Sequence, residues 1–284
     1  MTSATDKTCP VCNGVYGLCT LKGLLKCASC GFITADLNLS DYDFKALYGP
    51  DYFHGNEYVN YTLEKRTIQK NFRLRLELLL KYVEHSDRKS LFEIGSAYGY
   101  FLEPAQGKFK SVAGIDISED AVRHCREHYG YNVASGDFLD YQMKTGYDVF
   151  CMWDTIEHMS EPWKAIEKIS THISPEGVLA ITTSDIESVN AKLRGNSWRQ
   201  IHPPTHLHYF SAKTLTRLLQ RHGFTTVYVG YPGYYRSLDM LFYKTLTAKH
   251  KLHSLYNLIK HTGLQNLDFY LNLYDIIYVI AKKQ

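Results

Sequence analysis

The 284-residue sequence predicts an α/β fold in which a parallel β-sheet is covered by helices on both faces. Two observations favour this fold. Apolar segments of strand length alternate with amphipathic segments of helical spacing along most of the chain. The composition, with 45% hydrophobic and 21% charged residues, is that of a globular protein and excludes disordered, collagen-like and coiled-coil classes. The length allows one large domain with a small appendage.

Six segments predict the strands of this sheet. They are residues 90–94, 111–115, 147–153, 178–183, 225–230 and 275–283. Four other segments predict helices, at 62–83, 118–129, 162–171 and 212–222. Residues 231–274 are too many for a plain loop and contain leucines at roughly helical spacing, so we predict a helical insertion before the last strand.

Five of the seven cysteines lie in the first thirty residues. Cys9 and Cys12 form one C-x2-C pair, and Cys27 and Cys30 form a second pair fourteen residues later. Two such pairs complete a closed tetrahedral site of four thiolates, which predicts a structural zinc ion in a ribbon over residues 1–35. The alternative is a disulfide or redox pair. The start of the chain has no apolar signal-peptide core, so we expect a cytoplasmic protein with reduced thiols.

Residues 36–88 join this ribbon to the α/β domain at 89–284. The first part of this segment is rich in tyrosine and phenylalanine and predicts an ordered aromatic linker, and the second part is the helix predicted at 62–83. Aromatic rings of the linker could cover a ligand, although packing of the ribbon against the domain explains them equally well. No apolar run approaches the ~20 residues of a membrane-spanning helix, so none is predicted.

A glycine-containing turn at the end of the first predicted strand carries the clearest chemical signal. Gly95 permits a tight turn, and Gly99 allows close approach of the backbone to a ligand. Glu93 lies at the carboxyl end of the strand, where it can hold an ammonium group but would repel a pyrophosphate. Asp116 ends the second strand, where an acid can accept both hydroxyls of a ribose. The alternative, a nicotinamide-binding domain, is disfavoured by Glu93.

With these residues the chain resembles the class I S-adenosylmethionine-dependent methyltransferases. The resemblance covers about residues 89–284 and implies a Rossmann-like, seven-stranded, mostly parallel sheet with a reversed last strand. It implies that Glu93, Gly95 and Gly99 surround the methionine part of the cofactor and that Asp116 binds the ribose. One departure is that Ala97 replaces the usual middle glycine of the turn.

The resemblance also extends to later positions in the domain. Asp137 occupies the place where the family has an acid near the adenine amine. The run from Trp153 to His158 matches the family's motif after the fourth strand, in a form common among enzymes that act on small molecules, and it adds Trp153 to the cofactor site. The stretch from Asn196 to Ser211 is similar to a loop found in methyltransferases of sugars, quinones and secondary metabolites, some of which also carry an N-terminal zinc-binding segment.

Methyl transfer to a neutral hydroxyl or amine needs a base, and histidine has a suitable pKa range. His206, in the proline-rich loop, is the first candidate for the base or for an acceptor ligand. His158 at the end of the fourth strand is the second, and His208 is the third. His54 in the aromatic linker is a weaker candidate. For each of them a packing, loop-anchoring or surface role is the alternative.

These features predict an S-adenosylmethionine-dependent methyltransferase with a small-molecule acceptor, most simply O-methylation of a sugar, glycan precursor or secondary metabolite. Methylation of nitrogen or carbon stays open. A basic insertion would suit an anionic acceptor such as a nucleotide-linked sugar. One alternative is a zinc-ribbon methyltransferase of ribosomal or transfer RNA. A nucleic-acid partner is disfavoured because the ribbon is poor in lysine and the net charge is only +3. A second alternative is a non-catalytic protein with this fold. The sequence leaves the oligomeric state open.

Overall fold

The structure is a computed structural model that describes residues 8–39, 62, 64–249, 251–260, 262–264 and 267–284. Its strands are β1 (Tyr16–Leu18), β2 (Leu24–Cys27), β3 (Ile33–Ala35), β4 (Ser90–Ile94), β5 (Ser111–Asp116), β6 (Val133–Ser135), β7 (Tyr147–Trp153), β8 (Ile173–Ser184), β9 (His208–Tyr209), β10 (Phe224–Gly230), β11 (Tyr234–Ser237), β12 (Asp268–Leu271) and β13 (Ile276–Lys283). Its α-helices are α1 (Lys65–Leu79), α2 (Leu102–Gln106), α3 (Glu119–Tyr129), α4 (Pro162–His172), α5 (Val189–Arg194), α6 (Ala212–Arg221), α7 (Leu238–Phe242) and α8 (His253–Lys260). Most of the predicted aromatic linker, including His54, lies outside the described residues.

A central sheet of seven strands has the spatial order β10–β13–β8–β7–β4–β5–β6. The strands β8, β7, β4, β5 and β6 run parallel to one another, whereas β13 is antiparallel to both β8 and β10. The predicted seven-stranded sheet with a reversed last strand is therefore confirmed. The order of the strands reverses between β4 and β7, and ligands of such sheets bind outside the carboxyl ends of the strands at this position.

The six predicted strands all form, with ends that shift by a few residues. Two of them, β4 and β7, have the predicted bounds, and β8 begins five residues before the predicted segment 178–183. The seventh strand, β6, is absent from the six segments read from the sequence because its three residues are too few to show a pattern. It pairs with β5 through Gly114, Ile115 and Asp116.

The sheet separates two hydrophobic clusters, as expected for parallel strands that are covered on both faces. Along β7, Phe150 and Met152 belong to one cluster, whereas Val149 and Cys151 belong to the other. This alternation follows from the two-residue period of a strand. Helix α3 begins at a serine that caps it, because the Ser118 side chain accepts from the backbone N–H of Ala121. No helix in the described part of the chain combines the length and apolar character of a membrane span.

The insertion at 231–274 contains the predicted helical structure but is framed by two strands that the sequence did not predict. Helices α7 and α8 and a π-helical segment, Tyr243–Lys249, lie between β11 and β12. These two strands pair antiparallel, from Tyr234 opposite Leu271 to Ser237 opposite Asp268. The strands were missed because their burial is intermediate, so they show no alternation of apolar and polar residues.

The cysteine-rich segment forms a four-stranded sheet in the order β1–β2–β3–β9. Its last strand comes from the α/β domain: β9 pairs antiparallel with β3, placing Thr34 opposite His208. The backbone N–H of Ala35 also donates to the carbonyl of Leu207 at 2.8 Å. The N-terminal segment is therefore hydrogen-bonded to the loop that carries the histidine candidates.

Candidate active site

A cavity of about 410 Å³ opens at the carboxyl ends of the central strands. Its walls include the loops after β4, β5, β6 and β7, one face of α1, and the segments around Arg199 and Arg236. The cavity is thus built where the topology of the sheet favours a ligand. Gly95, Ala97, Asp116, Asp137 and Trp153 line it, as do His158 and His206.

The turn after β4 requires glycine at position 95. Gly95 has a φ of +77°, and a Cβ at this position would lie 2.4 Å from the Thr155 hydroxyl oxygen. Ala97 also has a positive φ, +44°. This is the position where an alanine replaces the usual glycine, and left-handed backbone costs an alanine roughly 1–2 kcal/mol. The turn tolerates the alanine because its N–H donates to the Asp116 carboxylate at 2.7 Å.

The carboxylate of Asp116 accepts hydrogen bonds from two segments, the turn after β4 and the start of α3. One oxygen accepts from the N–H of Ala97, and the other accepts from the N–H of Ser118 at 2.9 Å. Burial raises the pKa of Asp116, while these two hydrogen bonds oppose the shift. Each oxygen of an ionised carboxylate can accept more than one hydrogen bond, so Asp116 keeps acceptor capacity on the cavity side.

Glu93 and Gly99 lie outside the lining of the cavity. Glu93 is 1% exposed, and its Oε2 has no hydrogen-bond partner among the described residues. Burial and the nearby charge of Asp116 raise its pKa well above the ordinary value. A Cβ on Gly99 would lie 2.8 Å from the Tyr131 ring and 3.0 Å from the Cys125 sulfur. The absence of a side chain at Gly99 therefore allows the turn to pack against α3 and Tyr131.

Two of the three histidine candidates meet in the cavity. The His158 and His206 rings lie 4.5 Å apart, centroid to centroid. His158 Nδ1 donates to the carbonyl of Thr205 at 2.8 Å, and His206 Nδ1 donates to the carbonyl of Gln200 at 2.9 Å. Because a carbonyl only accepts, both rings carry their proton on Nδ1, and Nε2 is the basic nitrogen. Burial lowers the pKa of His158 to about 4 and that of His206 well below its ordinary 6.5, so both rings are neutral at pH 7.

Glu157 lies beside these rings and is 2% exposed. Its Oε2 has no hydrogen-bond partner among the described residues. Burial, together with the charge of Asp154, raises its pKa to about 8, so the neutral acid predominates at pH 7. Glu157, His158 and His206 each offer one ligand atom within 4.8 Å of the other two. The cluster can therefore exchange a proton, and its spacing is also compatible with a metal ion.

His208, the third candidate, is placed elsewhere. Its Nδ1 lies 3.1 Å from the Thr34 hydroxyl oxygen, and its Nε2 donates to the Ser160 carbonyl at 3.2 Å. Its ring stacks on Phe32 at a centroid distance of 5.8 Å. With both nitrogens engaged and no part in the cavity lining, His208 joins the cysteine-rich sheet to the α/β domain.

Several cavity residues were missed by the sequence analysis. Arg75 on α1 donates to the Asp154 carboxylate at 2.7 Å. Arg199, Tyr234 and Arg236 form a second polar group on the wall. For α1 a signal was present, because its cavity-lining residues recur at helical spacing; they are Glu64, Thr67, Ile68, Asn71, Phe72 and Arg75. Nothing in the sequence brings residue 199 to residue 236.

The four N-terminal cysteines form one cluster. Cys9 and Cys30 have sulfurs 3.6 Å apart, and the sulfurs of Cys12 and Cys27 are 3.4 Å apart. A tetrahedral zinc ion with Zn–S bonds of about 2.3 Å requires sulfurs about 3.8 Å apart. All seven cysteines of the chain are free thiols. The donor set and its spacing therefore fit a closed structural zinc site.

A family described as "Methyltransferase domain" matches residues 63–229, which is more than half of the chain. The chain belongs to this methyltransferase domain family. The methyltransferase also aligns with the ubiquinone biosynthesis O-methyltransferase of Nitrosomonas europaea, with 24% identity over 120 residues. That alignment spans 39% of this chain and 50% of the relative, so the methyltransferase covers about half the length of the curated relative that it matches.

Solved structures of the same fold include two SAM-dependent methyltransferases. The protein from Thermotoga maritima has a TM-score of 0.54 and 19% identity, with 81% of this chain and 96% of that chain covered. The protein from Archaeoglobus fulgidus has a TM-score of 0.53 and 17% identity, with 78% and 99% covered. These likenesses concern the fold. They show that the chain has the fold of these S-adenosylmethionine-dependent methyltransferases.

The site of the methyltransferase fits this cofactor chemically. Carboxylates suit its ammonium group and ribose hydroxyls, and the cavity wall carries Asp116 and Asp137. Buried polar atoms that lack partners among the described residues occur at the same place, on Glu93, Ser96 and Trp153. Such atoms are costly unless a ligand or water satisfies them.

Proposed function

We propose that this methyltransferase transfers the methyl group of S-adenosylmethionine to a hydroxyl oxygen of a small-molecule acceptor, of the sugar, glycan-precursor or secondary-metabolite class. The observation that carries the proposal is one cavity whose lining combines two chemically different groups of residues. The first group is the turn after β4, with Asp116 and Asp137. The second group is the neutral imidazoles of His158 and His206, which can take a proton from a hydroxyl.

The residues proposed to hold the cofactor are of two kinds, those that line the cavity and those that lie behind the lining. Gly95, Ala97, Asp116, Asp137 and Trp153 line the cavity and would contact the cofactor directly. Glu93 would act from behind the lining, by accepting from the ammonium group directly or through water. Gly99 would act by packing the turn. The cofactor would supply a methyl group on a sulfonium, from which the thioether is a good leaving group. Alignment of the two reactants can lower the activation free energy by roughly 7–11 kcal/mol.

His206 is proposed as the residue that removes the hydroxyl proton, at Nε2. Its Nδ1–H is anchored on the Gln200 carbonyl, so the ring is held with its basic nitrogen in a defined direction. His158, anchored on Thr205, is the alternative base. A positioned base contributes about 10²–10⁴-fold to the rate. Burial disfavours the protonated imidazole. The positive charge that develops on the hydroxyl oxygen as it receives the methyl group makes its proton more acidic and so favours the transfer to His206.

The choice of oxygen and of a small acceptor has separate support. The aligned relative is an O-methyltransferase, which favours oxygen over nitrogen or carbon. Helix α1 and strand β11 both line the cavity and are joined to each other: the Asn71 amide exchanges two hydrogen bonds with the backbone of Tyr235, at 2.6 and 3.0 Å. A cavity of about 410 Å³ suits a small molecule better than a nucleotide within an RNA chain. We also propose that Cys9, Cys12, Cys27 and Cys30 bind a structural zinc ion.

The destination of a labelled methyl group tests the proposal. The protein is incubated with labelled S-adenosylmethionine and an extract, which is then separated into small molecules, glycan, RNA and protein. Label in the small-molecule or glycan fraction is the expected result. Label in RNase-sensitive material would instead assign the activity to an RNA methyltransferase, and no transfer to any fraction would indicate a non-catalytic protein.

Replacement of Asp116 by alanine tests the cofactor site. Asp116→Ala is expected to weaken binding of S-adenosylhomocysteine at least tenfold, because it removes the acceptor for the ribose hydroxyls and releases the N–H groups of Ala97 and Ser118. Calorimetry measures the affinity, and circular dichroism checks that the fold is kept. Asp87→Ala, in a short helical turn whose residues are not buried, is the matched control. Unchanged affinity in Asp116→Ala would remove Asp116 from the ribose role.

A further inference from the structure

Two arginines share one phenol oxygen at the wall of the cavity. Arg199 Nη2 donates to the Tyr234 hydroxyl oxygen at 2.7 Å. Arg236 also donates to this oxygen, and its guanidinium lies 4.2 Å above the Tyr234 ring. The two cations come from different parts of the chain, one from the turn after α5 and the other from β11. Two positive charges are therefore held close together by one neutral acceptor.

Neither cation forms an ion pair with a carboxylate among the described residues. The ion pairs in that part of the chain involve other cations, such as Arg75 with Asp154 and Arg66 with Asp268. Arg236 is half-buried and Arg199 is exposed, and an arginine stays charged in proteins. Burial and the charge of Arg199 lower the pKa of Arg236, whereas the nearby charges of Glu64 and Asp275 raise it. An anion bound between the two guanidinium groups would offset the repulsion between them.

The arginine pair faces the same cavity as the proposed chemistry. Arg199, Tyr234 and Arg236 all line the cavity, and the residue after Arg199 is Gln200, whose carbonyl anchors His206. The acids Asp116 and Asp137 also line it, after β5 and β6. The lining therefore contains carboxylates near the proposed cofactor site and guanidinium groups next to the proposed base.

We infer that Arg199 and Arg236 form an oxyanion subsite that binds a phosphoryl or carboxylate group of the acceptor. Guanidinium groups bind both of these anions through two parallel N–H···O bonds. An anion held there would orient the acceptor so that its hydroxyl lies near His206. This inference rests on the proposed function and narrows the acceptor to molecules that carry a negative charge, such as sugar phosphates or carboxylated metabolites.

Anion binding to the purified protein tests the subsite. Pyrophosphate and glutarate are titrated separately, by calorimetry at low ionic strength, into protein saturated with S-adenosylhomocysteine. Binding of at least one of the two anions to the wild type is expected. The anion with the higher affinity indicates whether the acceptor carries a phosphoryl or a carboxylate group. The double variant Arg199→Gln/Arg236→Gln is expected to bind that anion at least tenfold more weakly, whereas its affinity for S-adenosylhomocysteine stays within about twofold.

The control variant is Arg194→Gln, which removes the same charge from an exposed arginine that is hydrogen-bonded to Asn190. It is expected to bind the anion as the wild type does. Three results would overturn the inference: no anion binding to the wild type, equal binding in the wild type and the double variant, or a tenfold loss of S-adenosylhomocysteine affinity in the double variant. The third result would assign the arginines to the carboxylate of the cofactor.

The proposed function fails in a different way. If the wild type bound no S-adenosylhomocysteine, or transferred no labelled methyl group, the methyl-transfer proposal would be wrong. The anion titration is then repeated without the cofactor. If the wild type bound the anion without the cofactor and the double variant did not, the result would support an oxyanion subsite that is independent of methyl transfer.

Discussion

The chemistry available to a single histidine depends on the hydrogen-bond partners of its two ring nitrogens. His206 and His208 are two positions apart and equally buried, yet they do different things. The Nδ1 of His206 is anchored on a loop carbonyl, which leaves Nε2 as the basic nitrogen in the cavity. Both nitrogens of His208 are engaged by Thr34 and Ser160. Residue type alone would not separate the histidine proposed as the base from the histidine that joins two sheets.

His206→Ala is expected to lower the turnover of labelled methyl transfer by about 10²–10⁴-fold and to leave the affinity for S-adenosylhomocysteine unchanged. The reason is that the ring would take part in proton removal and not in cofactor binding. Turnover and affinity are measured separately, by label transfer to the acceptor fraction and by calorimetry. His253→Ala, which alters an exposed histidine of α8, is the control. Full activity of His206→Ala would move the base role to His158, whose alanine variant should then be inactive.

His208 is expected to make the fold sensitive to acid. Burial lowers the pKa of His208 to about 4 from an ordinary 6.5, and no charged group contributes to this shift. Below pH 6.5 the unfolded chain binds a proton at this ring that the folded chain does not accept until near pH 4. The contribution of His208 to stability is therefore fully present above pH 6.5 and is lost as the pH falls toward 4. Between pH 7 and pH 5 this loss lowers the free energy of unfolding by about 2 kcal/mol.

Urea unfolding at pH 7 and pH 5 measures this contribution. The decrease in the free energy of unfolding between the two pH values is expected to be about 2 kcal/mol smaller in His208→Asn than in the wild type. His253→Asn, at an exposed position, should show the same decrease as the wild type. An equal decrease in all three proteins would show that protonation of His208 does not drive unfolding.

At the scale of elements, the cavity depends on two turns and one helix that meet above the sheet. The turn after β4 packs so closely on the turn after β7 that only glycine fits at position 95. On the other side, α1 is joined to the insertion by Asn71 and by the pair of Arg66 and Asp268, 3.0 Å apart. These contacts join two sequence-distant elements that both line the cavity.

Gly95→Ala is expected to destabilise the fold and to weaken binding of S-adenosylhomocysteine at least tenfold. Left-handed backbone costs an alanine roughly 1–2 kcal/mol, and the new methyl group would overlap the Thr155 side chain. The melting temperature should fall by about 3 °C or more. Gly107→Ala is the matched control, because Gly107 has a φ of −80° and no atom lies within 4 Å of the added carbon. Equal behaviour of the two variants would mean that the turn after β4 can rearrange without cost.

At the scale of the whole molecule, the cysteine-rich sheet is hydrogen-bonded to the loop that carries the proposed base. Its strand β3 pairs with β9, and residues Leu207 and His208 in turn donate from their N–H groups to the carbonyl of Glu157, at 2.9 and 3.2 Å. The loop with His206 is therefore held between the cysteine-rich sheet and the turn after β7. Loss of the N-terminal segment would free one side of this loop.

Cys30→Ser is expected to remove the proposed zinc ion and to lower methyl transfer at least tenfold, while S-adenosylhomocysteine affinity changes less than about threefold. The reason is that the cysteine-rich sheet supports the histidine loop and does not line the cavity. Metal content is measured by atomic absorption, together with transfer and affinity. Cys19→Ser, a half-buried cysteine outside the cluster, is the control. Full activity of metal-free Cys30→Ser would show that the loop holds its position without the ribbon.

The sequence by itself determined the elements that have a strong local signal. The strands around Phe92 and Phe150, the glycine turn, the acid that ends β5 and the two cysteine pairs were all predicted from local patterns, because burial on both faces, positive φ and metal ligation each restrict the residue types at nearby positions. The resemblance to class I methyltransferases added the seventh strand and the reversal of the last one.

Only the tertiary structure decided which of these residues share a cavity. The short strands β6, β11 and β12 escaped the sequence analysis because three or four residues show no periodicity. The meeting of Arg199 with Arg236 and the separation of His206 from His208 depend on contacts between segments far apart in the chain. A sequence records which side chains are present, but their proton positions, burial and charge partners are set by neighbours that the chain brings together only when it folds.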